Sequence, residues 1–198
     1  MKETFTISTA VLAFASVFWL IASNAVLRRR VEQLTMLAVR DALTGVFNRH
    51  YLQSVQMGER IGLILVDIDH FKPYNDTWGH AAGDALLHQF ARLMERVVRD
   101  KDIVCRFGGE EFVIVLPDAS WELVRHSAER LRAESQNLHL DVDGRLPGGI
   151  TISVGIAISP VHGTTIETLL ASADRALYAA KSGGRDRVAI PPHQVIAA

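Results

Sequence analysis

An apolar run at residues 61–66, IGLILV, that ends abruptly in Asp67 constrains this chain more than any other feature. A run so short and without polar alternation reads as a strand buried on both faces. From residue 40 to residue 188, strand-like and helix-like patterns alternate with no long linker, low-complexity tract or internal repeat. That pattern is the signature of one α/β unit. The single cysteine, Cys105, excludes an intrachain disulfide and a cysteine zinc cage, so an apolar core has to carry the fold.

The other elements are marked by periodicity and punctuation. A helix is expected after Gly83, because Leu86, Leu87, Phe90, Leu93, Met94, Val97 and Val98 recur at helical spacing. Residues 103–107 and 110–116 read as the strands of a hairpin, with Gly108 and Gly109 supplying positive backbone angles in a two-residue turn. A helix capped by Ser120 should run from Trp121 to about Glu134. Residues 138–142 and 150–158 are expected to pair as strands across a loop holding Pro147, Gly148 and Gly149. The last helix opens with Thr164 and Glu167 at capping-box spacing, buries Ile166, Leu169, Leu170, Ala173 and Leu177, and stops at Gly183 and Gly184.

Residues 5–27 carry no charge and, at about 1.5 Å per residue, reach roughly 34 Å as a helix, enough for a hydrocarbon core. Arg28, Arg29 and Arg30 come directly after, and positive residues beside a span hold the downstream chain on the cytoplasmic side. Residues 1–30 therefore read as a transmembrane anchor, with a cleaved signal peptide and a buried core helix as rivals. Residues 31–40 read as a short helical linker. Leu27, Val31, Leu34 and Ala38 form one stripe there, either a coiled-coil seam or a plain linker face. Residues 41–190 form the body and 191–198 a tail. Of the formal net charge of -1, residues 1–30 hold +3 and the remainder -4, which argues against general nucleic-acid binding.

Asp67 and Asp69 close the buried strand, and Glu110 and Glu111 come after the paired glycines. Hard oxygen ligands select Mg2+ or Mn2+, and magnesium uses one or two carboxylates with phosphate and water completing its shell. Spacing alone leaves open that these acids are solvated edge charges or helix caps.

The pentapeptide GGEEF at residues 108–112, preceded by Arg106 and Phe107, resembles the signature of the GGDEF family of diguanylate cyclases. So do DALTGVFNR at 41–49, DIDHFKPYNDTWGHAAGD at 67–84, ISVGIA at 152–157 and ADRALYAAKSGGRDRV at 173–188, in the family's order. The resemblance implies a palm-like GGDEF domain, a central sheet flanked by helices and related to nucleotidyl cyclase and polymerase cores. It implies condensation of two GTP into cyclic di-GMP with release of pyrophosphate, at the interface of a homodimer in which each subunit holds one GTP.

By the same resemblance, Asp67, the main-chain carbonyl of Ile68 and Glu110 are the metal ligands. Glu110 or Glu111 helps to deprotonate the attacking 3'-hydroxyl, and Lys72 stabilises the transition state. Main-chain amides near His70 and Phe71, with Lys181 and Arg185, bind phosphate. Asn75 and Asp84 read guanine, with His80 close by, since a carboxylate accepts from both N1-H and the 2-amino group. Arg99 and Asp102 form an RxxD pair which, with Arg130, marks a site where the product inhibits its own synthesis. Simpler readings stand beside these: Lys72 as a surface lysine, Lys181 as a helix C-terminal charge, Asp84 as a helix N-terminal charge and Asn75 as a turn residue. The departures from the family pattern are Val46, Gly183 with Gly184, and Asp186, whose charge beside Arg185 is expected to weaken the phosphate contact. The whole chain then reads as a membrane-anchored bacterial diguanylate cyclase facing the cytoplasm. A catalytically inactive module that binds GTP or cyclic di-GMP is the alternative, and a membrane scaffold is a weaker third.

Overall fold

The computed structural model describes residues 14, 17–27, 30, 38–56, 58–140, 144 and 148–191. The chain divides into two units, Met1–Val39 and Arg40–Ala198. In the first, residues 17–27 are helical. Among the described residues no helix is long and apolar enough to cross a membrane. The expected span over 5–27 falls partly outside the described residues, as do 31–37 of the expected linker and 192–198 of the tail.

The second unit runs β1 (Phe47–Asn48), α1 (Arg49–Ser54), β2 (Ile61–Ile68), α2 (Phe71–Trp78), α3 (His80–Val97), β3 (Ile103–Arg106), β4 (Glu111–Pro117), α4 (Trp121–Ser135), β5 (Ile152–Ile158), α5 (Ile166–Ser182) and β6 (Arg187–Ala189). The strands form one sheet in the order β1-β3-β4-β2-β5-β6. β2 lies near its centre, antiparallel to both β4 and β5, and is buried along its whole length. This is the strand that the apolar run at 61–66 predicts, extended through Asp67 and Ile68.

Alternation along β2 splits the core into two layers. Ile64, Val66 and Ile68 join Leu86, Phe90 and Met94 of α3 and Val124, Ala128 and Leu131 of α4. Leu63 and Leu65 face the other way, toward Leu52 of α1 and Leu169, Ala173 and Leu177 of α5. The helices thus cover both faces of the sheet, and the mixed α/β architecture expected of the body is the one observed.

Several local expectations need correction. Helix α3 begins at His80, not after Gly83, because Gly79 at φ 81 ends α2 and starts α3 in one residue. Gly83 lies inside the helix, where a Cβ would collide with Asn75 Oδ1, so its smallness lets α2 and α3 approach. The connection between β3 and β4 is four residues long, and neither Gly108 nor Gly109 adopts a positive φ. Residues 138–140 are not a strand, and 141–142 lie outside the described residues. Both edges of β5 are already taken, by β2 and by the parallel strand β6. The capping box of α5 sits one residue later than expected, on Thr165 and Thr168. Helices α1 and α2 and strands β1 and β6 were not anticipated. The sequence PYND inside α2 reads as a turn, yet Pro73 falls in the first helical turn, where its missing N–H costs nothing.

Candidate functional site

Asp67 continues the Leu63–Leu65 face of β2 to the rim of the sheet, the face on which α5 packs. Its Cα partner across the antiparallel pair is Glu111, and the Ile68 amide donates to the Glu110 carbonyl at 3.4 Å. The register therefore brings the acids of two distant segments to one place. Burial raises the proton affinity of Asp67, and Lys181, from the last turn of α5, opposes that with an ion pair at 2.7 Å. Glu110 is also raised, first by burial and then by the charge of Asp67; Lys181 counteracts and Glu111 adds to the rise. Lys181 and Arg185 against Asp67, Asp69, Glu110 and Glu111 leave the strand end with an excess of negative charge.

That excess fits a divalent cation. Among the described residues no group of three or more His, Cys, Asp or Glu side chains gathers as a metal cage. Two carboxylates, Asp67 and Glu110, with the Ile68 carbonyl make instead the partial, all-oxygen donor set that magnesium completes with phosphate and water. Lys181, which the resemblance assigns to phosphate, here lies on Asp67, a partner that no sequence neighbour of Asp67 supplies.

Asp69 does not join the acidic rim. Its buried carboxylate accepts from Thr151 Oγ1 at 2.9 Å, from Ser153 Oγ at 2.7 Å and from the Asp186 amide at 3.1 Å, so it ties β5 to the turn after α5. Asp67 and Glu110 thus share the rim, whereas Asp69 is structural.

His70 takes a left-handed φ of 58 and heads α2 without a side-chain cap, with buried Phe71 next in the chain. The first-turn amides of α2 thus have no side chain capping them among the described residues. Lys72, also in that turn, is exposed and makes no ion pair among the described residues. Asn75 Oδ1 is buried against Gly83 with no hydrogen-bond partner among the described residues, and Asp84 and His80 are exposed on the first turns of α3. The α2–α3 corner therefore presents an orphaned amide beside an exposed carboxylate. Arg185 reaches Asp69 Oδ1 at 4.0 Å and keeps its side chain 45% exposed.

The RxxD pair is closed on itself. Arg99 Nη2 donates to Asp102 Oδ1 at 2.6 Å, Nε lies 3.1 Å from both carboxylate oxygens, and the Arg99 amide donates to Oδ2 at 2.8 Å. Asp102 has only 1% of its side chain exposed, whereas Arg99 shows 36% and borders a cavity of about 230 Å³ with Arg40, Phe47 and Glu95. Arg130 on α4 pairs with Glu134 at 2.7 Å and points a second nitrogen at the Val97 carbonyl, 3.5 Å away.

Two arrangements escaped the sequence reading. Arg106 donates to the Gly108 carbonyl at 3.2 Å and to the Gly109 carbonyl at 2.8 Å, and pairs with Asp41 at 3.1 Å, so it fastens the glycine turn to the start of the body. Burial would raise Asp41, but bonds from Thr44 and the Arg106 guanidinium outweigh it and hold the carboxyl below its usual range. The two carboxylate oxygens of Asp186 accept from Arg132 of α4 and from Gln136, the residue that caps the C-terminus of α4, both at 2.8 Å.

Residues 31–187 match the family model described as diguanylate cyclase, GGDEF domain. The response regulator PleD of Caulobacter vibrioides is 38% identical over 172 residues, covering 82% of this chain and 38% of the relative. The diguanylate cyclase VdcA of Vibrio cholerae is 35% identical over 177 residues, covering 84% of this chain and 52% of the relative. The chain thus spans about half, or less, of the length of these relatives. Among solved structures, the coiled coil and GGDEF domain of DgcB from Caulobacter crescentus, in complex with c-di-GMP, aligns with a TM-score of 0.78 and 33% identity, covering 88% of this chain and 97% of that one.

Proposed function

This chain belongs to the GGDEF family of diguanylate cyclases, and from that premise we propose that it condenses two molecules of GTP into cyclic di-GMP with release of pyrophosphate. One observation carries the reading: the register of β2 against β4, which seats Asp67 beside Glu110 and Glu111 at one rim of the sheet.

In each half-reaction the 3'-hydroxyl of one GTP attacks the α-phosphorus of the other, and the bond to the β-phosphate oxygen breaks. Asp67, the Ile68 carbonyl and Glu110 would hold Mg2+ or Mn2+, which when bound lowers the pKa of the hydroxyl and offsets charge at the pentacovalent phosphorus. Glu110, with Glu111 beside it, stands at the rim where the hydroxyl would be held and is the group suited to accept its proton. The uncapped amides after His70 and at Phe71, with Lys181, Arg185 and Lys72, neutralise the triphosphate. Asn75 and Asp84, near His80, satisfy the guanine edge, and adenine would leave Asp84 facing a lone pair, a mismatch worth on the order of 10⁴-fold.

A single acidic rim serves one nucleotide, so the second GTP has to arrive on a second copy of the chain. Product feeding back at Arg99, Asp102 and Arg130 has to engage the exposed edge of the Arg99 guanidinium, because the Asp102 oxygens are spent on Arg99. Residues 5–27 anchor the protein in the cytoplasmic membrane with the body in the cytoplasm. The uncharged run and the exposed Phe18, Trp19 and Ile21 of helix 17–27 support this reading.

The test is to incubate the full chain with GTP and magnesium and identify the guanine products by mass. Cyclic di-GMP is expected from the native chain and none from Glu110→Ala with an unchanged circular dichroism spectrum. GTP binding without product from a verified dimer would overturn catalysis and leave a nucleotide-binding module.

A further inference from the structure

The segment joining α5 to β6 holds three successive residues, Gly184, Arg185 and Asp186, at positive φ. Gly184, at φ 113, already supplies the glycine conformation in which helices commonly end. Arg185 at φ 63 and Asp186 at φ 44 then lie in the left-handed region as well, and neither is glycine. A side-chain-bearing residue rarely enters that region, and two in succession persist only where surrounding contacts over-determine them.

Those contacts come from four elements. The Arg185 amide donates to the Ala180 carbonyl of α5 at 3.0 Å, and Arg187 Nε of β6 donates back to the Arg185 carbonyl at 3.0 Å. The Asp186 amide donates to Asp69 Oδ2, a carboxylate itself fixed by Thr151 and by Ser153 of β5. The Asp186 side chain spends Oδ1 on Arg132 Nη1 and Oδ2 on Gln136 Nε2, and Arg132 is steadied from its other side by Glu129 at 3.0 Å. The end of α4 grips this turn through those two side-chain bonds to Asp186, one of the two left-handed residues that are not glycine.

The product of the bend is the placement of Arg185. Its guanidinium ends 4.0 Å from Asp69, close to the strand end where Lys181 meets Asp67, with nearly half of the side chain open to solvent. An extended residue at 185 would send that guanidinium elsewhere, since the side-chain direction depends on the backbone angles.

We propose that Asp186, gripped by Arg132 and Gln136, is a positioning residue that holds the left-handed turn and so aims Arg185 at the triphosphate of the substrate. The proposal rests on reading the rim as a triphosphate site and deepens it by adding residues of α4 to the machinery that orients the substrate. Arg132 and Gln136 act through Asp186, and Asp186 acts through Arg185; none of the three touches substrate. Asparagine at 186 keeps the acceptor for Arg132, and the Gln136 amide can turn to offer its oxygen to the asparagine nitrogen, so Asp186→Asn is the conservative variant.

The experiment uses the full chain and GTP with an α,β-methylene bridge, whose α–β linkage resists cleavage, so that binding is read by calorimetry in magnesium without turnover. Asp186→Ala and Arg132→Met are each expected to weaken binding about tenfold, and Asp186→Asn to keep it. With GTP itself the same two variants should raise KM by a similar factor with kcat held. Asp186→Gly loses the same side-chain bonds but adopts the left-handed angle without strain, so it should recover most of the affinity that Asp186→Ala loses. A side chain that contacted substrate itself would not be replaceable by glycine in that way. In the Arg185→Ala background, Asp186→Ala should cost nothing more, because its effect passes through a side chain already removed.

Unchanged affinity in Asp186→Ala and Arg132→Met, or a full additional loss when Asp186→Ala is placed on top of Arg185→Ala, would overturn the positioning role. A native chain that fails to bind the analogue would overturn the triphosphate reading itself, an outcome distinct from native binding that the variants share.

Discussion

Glu110 loses hydration at the rim of the sheet and sits in the field of Asp67 and Glu111, so its ionised form is disfavoured relative to the unfolded chain. A carboxyl whose native pKa is raised lends stability that is fully present below the unfolded pKa and is lost as pH rises through the native one. In the absence of divalent cation, Glu110→Gln should therefore raise the melting temperature at neutral pH by roughly 2 °C, a small gain because Glu110 is partly open to screening solvent. The gain should vanish below pH of about 4, where Glu110 is protonated in both states. Melting curves at the two pH values in chelator check this, and equal shifts at both would refute it. The cation reverses the sign, because the repulsion that destabilises the empty rim becomes attraction to the ion. Residue types were legible in the chain, since Asp67, Glu110 and Glu111 are recognisable as candidate ligands from motif and position. Their partners were not: Lys181 on Asp67, and Thr151 with Ser153 on Asp69, come from segments that only folding brings near.

Helix α5 carries Lys181 and leads into Arg185, and its seat on the sheet is set by Gly155 of β5. A Cβ at that glycine would collide with the Ala173 carbonyl and crowd the Leu177 amide, backbone atoms that cannot rotate away. Gly155→Ala should destabilise the domain by about 2–3 kcal/mol, the usual cost of forcing an extra carbon into a packed interior. It should also reduce GTP affinity, because α5 has to lift. Denaturant titration with GTP binding measured alongside checks both; a variant of native stability would refute the packing argument. At this scale the sequence was read well where a periodic apolar stripe announced a helix, as in α3 and α4, and where Ser120 capped α4 by accepting from the Leu123 amide. It was read badly where composition and topology disagreed. The turn-like PYND lies inside α2, and residues 138–140 have no free strand edge to pair with, because β6 occupies the far side of β5.

Over the whole molecule the catalytic proposal demands two copies, since each chain offers one acidic rim for one GTP. Initial rate per chain should fall steeply on dilution below the dimer dissociation constant and recover on concentration, as checked by product formation alongside light scattering. A rate per chain independent of dilution through demonstrated dissociation would refute the shared-site geometry. The start of the body is fastened to the glycine turn through Asp41 and Arg106, and α4 to the turn after α5 through Arg132 and Asp186, so the sheet acts as a frame for contacts of very different sequence separation. The features that the chain by itself determined were local: a strand buried on both faces, the helical stripes, the β3–β4 hairpin and the identity of the acids around it. Local periodicity encodes these because each depends on neighbours a few residues away. Only the tertiary structure decided which acid faces the site and which is locked beneath it, that Asp102 is closed on Arg99, and that Asp186 belongs to α4 rather than to Arg185. Those outcomes depend on strand register and helix seating, which set distances between segments that no short-range pattern in the sequence records.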